Sequence, residues 1–378
     1  MKTPKTEGDL AAIIAGAEGL LHIRGGGTRD IGAPVVGDAL SLAGLSGITL
    51  YEPGALTLVA QAGTPLAMIE AALAGEGQRL AFEPMDHRGL LGTRGEPTIG
   101  GVVAANVSGP RRIAVGACRD FLLGVRFVDG AGNILKNGGR VMKNVTGYDL
   151  VKLMAGSWGT LGVITEVSFK VLPIPAASAT ILLDGLSDGD AIGAMSMALG
   201  SPYEVTGAAH NPAGPGGAPL TMLRIEGFAA SVAYRAGALQ KLLAGFGAAR
   251  IENEAAETAA LWRSVRDVEP FHNTKGDVWR LSVKPSDAVA IGARLNADAL
   301  LYDWGGGLIW ALVPTGRDLR ADLGAFGGHA TLIRASADTR RHLKAFHPEA
   351  PGIAALSRGL RAQFDPRGIL NPGLMGGI

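Results

Sequence analysis

Cysteine is nearly missing from this chain. A single residue, Cys118, stands among 378, which excludes an internal disulfide, a four-thiolate iron–sulfur cluster and a Cys-built zinc site. Net charge is also missing: the formal value is +1, with no block of Lys or Arg. Nucleic acid and anionic membrane surfaces are therefore poor partners. No stretch reaches the ~18 uninterrupted apolar residues of a membrane span. The N-terminal segment lacks the apolar core and small-residue cleavage site of a secretory signal. The expectation is a soluble, cytoplasmic protein. Aromatics are sparse at 5%, so Trp279, Trp304 and Trp310 stand out; each suits a pocket wall, a subunit contact or a core.

Glycine is what the chain has in excess, 57 residues, about twice the ordinary ~7% usage. Most of these glycines sit between well-patterned elements, which points to tight turns or to backbone packed close to something large. The length suits about two domains of ~150 residues.

Strand and helix signals alternate along the chain. A helix is expected over Asp9–Ala17, then strands at "GLLHIRG" and "LTLVAQA". Thr64 is placed to cap a helix with Pro65 at its first position, carrying Leu66, Ile69 and Leu73 on its apolar face. "LLGVRFVDGAGNILKNGG" reads as a hairpin. "GVITEVSFKVLPIP" alternates with period two, which predicts a half-exposed antiparallel strand, and "LPIPA" marks a boundary near residue 175. Beyond it the strands come in hairpin-like groups among helices. The fold class is therefore α+β, with domains at 1–175 and 176–345 and a C-terminal segment at 346–378.

Three glycine patches carry the chemistry. "RGGGTRD" does not meet G-x-G-x-x-G, because the third position beyond Gly27 is Asp30; G-x-x-x-x-G-K-[ST] occurs nowhere. A nest of backbone N–H groups able to hold an anion and an ordinary tight turn both remain open. "PTIGGVVAANVSGPRRIAVGACRD" adds paired glycines with Asn, Ser and Arg, and "GSWGTLGVIT" adds a third turn. Several backbone-rich loops suit a long ligand with a central diphosphate better than a single phosphate.

Together "IRGGGTR", "PTIGGVVAANVSGPRR", "RDFLLGVRFVDGAG", "KNVTGYDLVKLMAGSWGTLGVITEVSFKVLP" and "FDPRGILNPG" resemble the vanillyl-alcohol-oxidase-type (PCMH-type) FAD-binding family, and within it the FAD-binding subunits of bacterial glycolate oxidases. The resemblance implies a two-subdomain FAD-binding domain followed by a smaller α+β cap with an antiparallel sheet. It implies that Arg24, Gly25, Gly26, Gly27, Thr28 and Arg29 form the first diphosphate loop. Gly100, Gly101, Asn106, Ser108 and Gly109 would wrap diphosphate and flavin, with Arg112, Gly116 and Asp120 in the same loop region. Gly162, Val163 and Ile164 would meet the adenine side, and the Pro/Gly tail would fold back onto the FAD domain. Relatives with a flavin-linked His place it where this chain has Thr28, so the FAD is expected to be non-covalent. Cys118 is read as a packed small residue. None of the seven histidines forms the His-x-His pair of metal-bearing relatives, so no metal is expected.

Oxidising a 2-hydroxy acid needs a cation for the carboxylate, a base for the hydroxyl proton, and the α-carbon over flavin N5 for hydride transfer. Arg280 and Lys284, four apart in "WRLSVKPS", are read as sharing one face of a strand. They and Tyr148, in the family signature "KNVTGYD", are the candidate catalytic residues; Arg263 and Arg334 are further options. No His–carboxylate pair stands out as the base. The resemblance implies an iron–sulfur partner subunit as electron acceptor, a second FAD-binding catalytic subunit, and membrane association only through partners. A non-catalytic FAD-binding, electron-relay or assembly subunit is the alternative. A nicotinamide-dependent dehydrogenase is weaker, for want of G-x-G-x-x-G.

Overall fold

The computed structural model describes residues 1–140 and 147–376. The "KNVT" part of the Tyr148 signature lies outside them. The chain forms two compact units: Met1–Ser108 with Gly116–Ile174 and Pro348–Ile378, and Gly109–Val115 with Pro175–His347. The short insertion Gly109–Val115, placed in the first domain on sequence grounds, thus clusters with the second unit.

In the first unit a five-stranded sheet runs in the order Ile48–Glu52, Thr57–Gln61, Val163–Lys170, Leu122–Val128, Ile134–Gly138, with every pair antiparallel. The "DGAGN" turn is closed by Asp129, whose Oδ1 accepts from the backbone N–H of Ala131 (2.9 Å) and Asn133 (2.8 Å). Val163–Lys170 is the central strand, and only Glu166 and Lys170 escape burial. This corrects the half-exposed reading. Residues expected to face water, Ile164 and Ser168, are covered too; helix Ile99–Ala104 packs on this strand, and the Thr165 hydroxyl donates to Glu7 of helix Glu7–Ala15 at 2.5 Å.

The helix Leu66–Gly75 buries Leu66, Ile69 and Leu73 as its pattern requires, but Pro65 is its N-cap. Thr64 makes no cap. Its hydroxyl donates to the Gln61 carbonyl (2.6 Å) and accepts from the Gly47 N–H (2.9 Å), satisfying buried loop groups instead. Strand Leu21–Arg24 pairs in parallel with Asp38–Ser41 and packs with Leu10, Ile14, Leu45, Ile369 and Leu370 in one apolar cluster. Each such buried side chain contributes about 1.5–3 kcal/mol.

The second unit is built on an eight-stranded sheet whose strand pairs are all antiparallel. One face carries Ile181, Leu223, Trp279, Leu281, Ile309 and Leu332 against helices Asp188–Leu199, Ala229–Leu242 and Ala288–Leu295. On the other face, Leu182 and Met222 pack against Trp262 and Val265 of helix Ala255–Asp267. His210 is fully buried and ties the sheet to a helix end: one ring nitrogen lies 2.9 Å from Thr221 Oγ1, the other 3.3 Å from Asp188. Tyr302 donates to the same carboxylate at 2.7 Å. The His210 hydrogen bond and, after it, that from Tyr302 hold Asp188 below the usual carboxylate range, although its partial burial acts the other way. Among the described residues no helix is long and apolar enough to cross a membrane.

Candidate functional site

The first unit contains a cleft enclosing about 1020 Å³, its mouth included. Three glycine-bearing segments and the C-terminal tail form its wall: His22 to Ile31, Thr98 to Ala104, Trp158 to Ile164, and Asn371 with Leu374.

Steric necessity explains the first triplet. A Cβ at Gly25 would lie 2.5 Å from Thr98 Oγ1, and one at Gly26 would overlap the Glu96 carbonyl oxygen. Gly27 has φ +70°, a left-handed conformation that costs other residues roughly 1–2 kcal/mol. Strand Leu21–Arg24 therefore turns flat against the segment preceding Thr98, with backbone facing the cleft. Thr28 is buried, and its carbonyl accepts from Thr93 Oγ1 at 3.0 Å.

Paired Gly100 and Gly101 lie inside the short helix Ile99–Ala104. The Gly100 N–H donates to the Ala62 carbonyl at 2.8 Å, and a Cβ there would stand 2.6 Å from that of Ala62. Its task is close packing against the chain leaving Thr57–Gln61. Gly101 leaves room for Arg29, whose Nη1 would be 3.2 Å from an added Cβ.

Arg29 is the chemically informative residue. Its Nε and Nη2 are buried without a hydrogen-bond partner among the described residues. Burial, partly offset by Asp86, pulls the guanidinium down to about 10. An arginine keeps its proton at neutral pH, so that lowering expresses the cost of an uncompensated charge, which a bound anion removes.

The tail completes the wall. Asn371 Oδ1 accepts from the Ile23 N–H at 2.7 Å, and its Nδ2 donates to the Trp158 carbonyl at 2.8 Å. One side chain thereby fixes the first and third glycine loops. Trp158, Gly159, Asn371, Thr98 and Leu374 were absent from the residues proposed on sequence; the left-handed φ of Trp158 (+54°) and Asn371 (+43°) has no periodic signature.

The structure thus brings Arg24 to Arg29, Gly100, Gly101, Gly162, Val163 and Ile164 to one cleft. Six other cofactor candidates do not line it. Asn106 Oδ1 accepts from the Arg119 N–H (3.1 Å), Ser108 Oγ from Cys118 (3.0 Å) and Asp120 from Ala117 (2.8 Å). Gly116, at φ +100°, makes the turn of that knot. Its side chains satisfy local backbone groups. Cys118 is fully buried within it, and burial pushes its thiol up. Gly109 and Arg112 cluster with the second unit.

The catalytic candidates fall in both units, Tyr148 in the first and Arg280 and Lys284 in the second. Arg280 lies on strand Asp277–Val283, its guanidinium against two tryptophan rings. Lys284 is exposed and follows the strand's end, so it does not share the strand face of Arg280; Pro285 starts a 3-10 turn there. Tyr148 is 89% exposed. Arg263 pairs with Glu269, and Arg334 donates to the Phe271 carbonyl.

A cleft walled by bare backbone, with Arg29 holding two nitrogens that no described residue hydrogen-bonds, fits a dinucleotide whose diphosphate carries negative charge. Fold and cleft define an FAD-binding flavoprotein of the PCMH type. The family profile described as FAD binding domain matches residues 1–138. Glycolate oxidase subunit GlcE of Escherichia coli is 38% identical over 359 residues, 94% of this chain and 92% of that protein. Glycolate oxidase subunit GlcD of Bacillus subtilis is 42% identical over 85 residues, 22% of this chain and 18% of that one. The solved structure of alkyldihydroxyacetonephosphate synthase superposes with a TM-score of 0.71 at 18% identity, covering 98% of this chain and 76% of that one; this likeness shows the fold. The chain belongs to the PCMH-type FAD-binding family, in the branch of glycolate oxidase subunit GlcE. Its cofactor is FAD.

Proposed function

We propose that this chain is the FAD-binding subunit of a glycolate oxidase-type complex and oxidises glycolate or a related 2-hydroxy acid to the 2-oxo acid. The observation that carries the reading is the 38% identity to subunit GlcE over nearly the whole of both chains. FAD, when bound, supplies the hydride acceptor for that oxidation. The first-loop residues Arg24 to Arg29 hold it without a covalent bond, Thr28 offering no nitrogen nucleophile, and Arg29 meets the diphosphate. Of the three catalytic candidates, Arg280 is assigned to the substrate carboxylate; the exposure of Lys284 and Tyr148 gives them no share in it. Electrons leave to an iron–sulfur partner subunit beside a second flavoprotein subunit, and any membrane association of this cytoplasmic protein runs through them.

The test is the visible spectrum of the purified chain before and after anaerobic glycolate. Bleaching of the flavin band supports a working hydroxy-acid site on this subunit. A band that stays oxidised, here and with lactate, overturns the catalytic assignment in favour of an FAD-binding relay or assembly subunit.

A further inference from the structure

The half of the second unit's sheet built from Leu308–Val313, Asp277–Val283 and Gly328–Arg334 has two chemically unlike faces. Trp279, Leu281, Ile309, Ala311, Ala330 and Leu332 point into the apolar core. The alternate residues share the opposite face. Arg280 stands opposite Trp310 on one side and Thr331 on the other, and Ser282 stands opposite His329.

Two guanidinium groups meet there over one ring. Trp304, in the tight turn after Ala299–Asp303, has φ +56° and is 7% exposed. Its indole N–H donates to the Gly109 carbonyl at 3.1 Å, which holds the insertion Gly109–Val115 beside it. The Arg112 guanidinium carbon lies 5.2 Å from the Trp304 ring centre, and that of Arg280 lies 5.0 Å from it and 6.0 Å from Trp310. Arg111, next in the insertion, is locked by its buried pair with Glu226, which fixes where Arg112 emerges.

Cation–π contact offsets part of the cost of these charges, but it does not use the N–H donors in the guanidinium plane of Arg280. No hydrogen bond joins the Arg280 side chain to another described residue; burial and the second positive charge of Arg112 oppose its charge, while the Asp303 carboxylate favours it. Nearby Asp303 accepts from the Trp304 backbone N–H at 2.7 Å. Two guanidinium groups and one carboxylate, Asp303, around one indole carry a net positive charge, and with the Arg280 donors unused by described residues the site is complementary to a small planar oxyanion.

We propose that Arg112 and Arg280, set by Trp304, form a two-armed clamp for the carboxylate of a small hydroxy acid. Arg112 is therefore a substrate-binding residue, not a part of the FAD diphosphate loop. The proposal rests on the 2-hydroxy-acid reading above for its choice of carboxylate over other oxyanions. It adds the second arm and the indole that sets both.

The experiment is calorimetric titration of the FAD-loaded chain with oxalate, a carboxylate that cannot reduce flavin, and separately with inorganic phosphate. Oxalate is expected to bind, and R280Q and R112Q each to weaken it about 10- to 100-fold, the loss of one charge-assisted arm. R280K, keeping charge but losing the fork, is expected between R280Q and wild type. R358Q, on helix Pro351–Phe364 of the first unit, should bind as wild type does. Retained flavin absorbance and thermal midpoint show that the variants are folded. Unchanged oxalate affinity in folded R112Q overturns the second arm, and phosphate binding as tight as oxalate overturns the carboxylate assignment. Glycolate bleaching is a separate readout. A chain that binds oxalate through both arginines yet is not reduced by glycolate keeps the clamp and loses the catalytic reading.

Discussion

Gly26→Ala places a methyl group where the Glu96 carbonyl oxygen already sits. Neither partner is the free end of a side chain, so the loop must move off its neighbour. Overpacking of this kind costs about 1–3 kcal/mol. The loss of a glycine from the unfolded chain returns roughly 0.4–1 kcal/mol, leaving a net cost near ~1–2 kcal/mol. The displaced segment is a wall of the cleft proposed to hold FAD, so on that reading most of the cost falls on the cofactor. Since ~1.4 kcal/mol is tenfold, the FAD dissociation constant should rise about 5- to 30-fold, read by flavin fluorescence on adding FAD to the apoprotein. Gly101→Ala meets only the flexible Arg29 and Thr98 side chains, at 3.2 and 3.3 Å, and should have a smaller effect. Gly54→Ala meets nothing within 4 Å and should fall within about 0.5 kcal/mol of wild type. Equal FAD affinity in the Gly26 and Gly54 variants would refute the claim that the triplet exists for close backbone approach.

Removing the charge at Arg29 should have opposite consequences in the two states. Arg29→Gln is expected to raise the thermal midpoint of the apoprotein, by about 1–2 kcal/mol of relieved desolvation, while weakening FAD at least about tenfold; a lower apoprotein midpoint would contradict the orphan reading. Arg111→Ala takes one cation from the buried Glu226 and leaves Arg224, 3.7 Å away, beside it. The cost should be roughly 1–3 kcal/mol in urea unfolding, less than the ~3–5 kcal/mol of losing a sole partner; a change below ~0.5 kcal/mol would detach the insertion from this anchor. His329 is exposed on its strand, yet partial desolvation by its surroundings, then Arg280, His347 and Arg112, hold it below the usual imidazole range. A carboxylate on the two arginines reduces their field and raises His329, so binding takes up a proton and oxalate affinity should increase as pH falls from 8 toward 5.5. His329→Gln should flatten that slope, and tighter binding at higher pH would reverse the sign and sink the electrostatic account.

Local chemistry was enough to place most elements. The helix with Leu66, Ile69 and Leu73 inward, the "DGAGN" hairpin, and the Pro/Gly loop between Gly207–Asn211 and Leu220–Gly227 follow from periodicity and turn residues, which act over a few positions. Periodicity failed where coverage is decided at a distance. Val163–Lys170 alternates as a half-exposed strand does, yet it is central and covered. Thr64 has the chemistry of a cap, yet its hydroxyl is spent on a neighbouring loop.

The sequence by itself determined that backbone-rich glycine loops would be available for a large anionic cofactor, because glycine's freedom and its missing Cβ are properties of single residues. Only the tertiary structure decided which loops converge. Asn371 reaches Ile23 across 348 residues of chain, and the Gly109–Val115 insertion leaves the unit that contains its flanks, carrying Arg112 to Trp304. Both depend on side chains satisfying partners far away in sequence, and burial makes such partners obligatory without announcing them in local spacing.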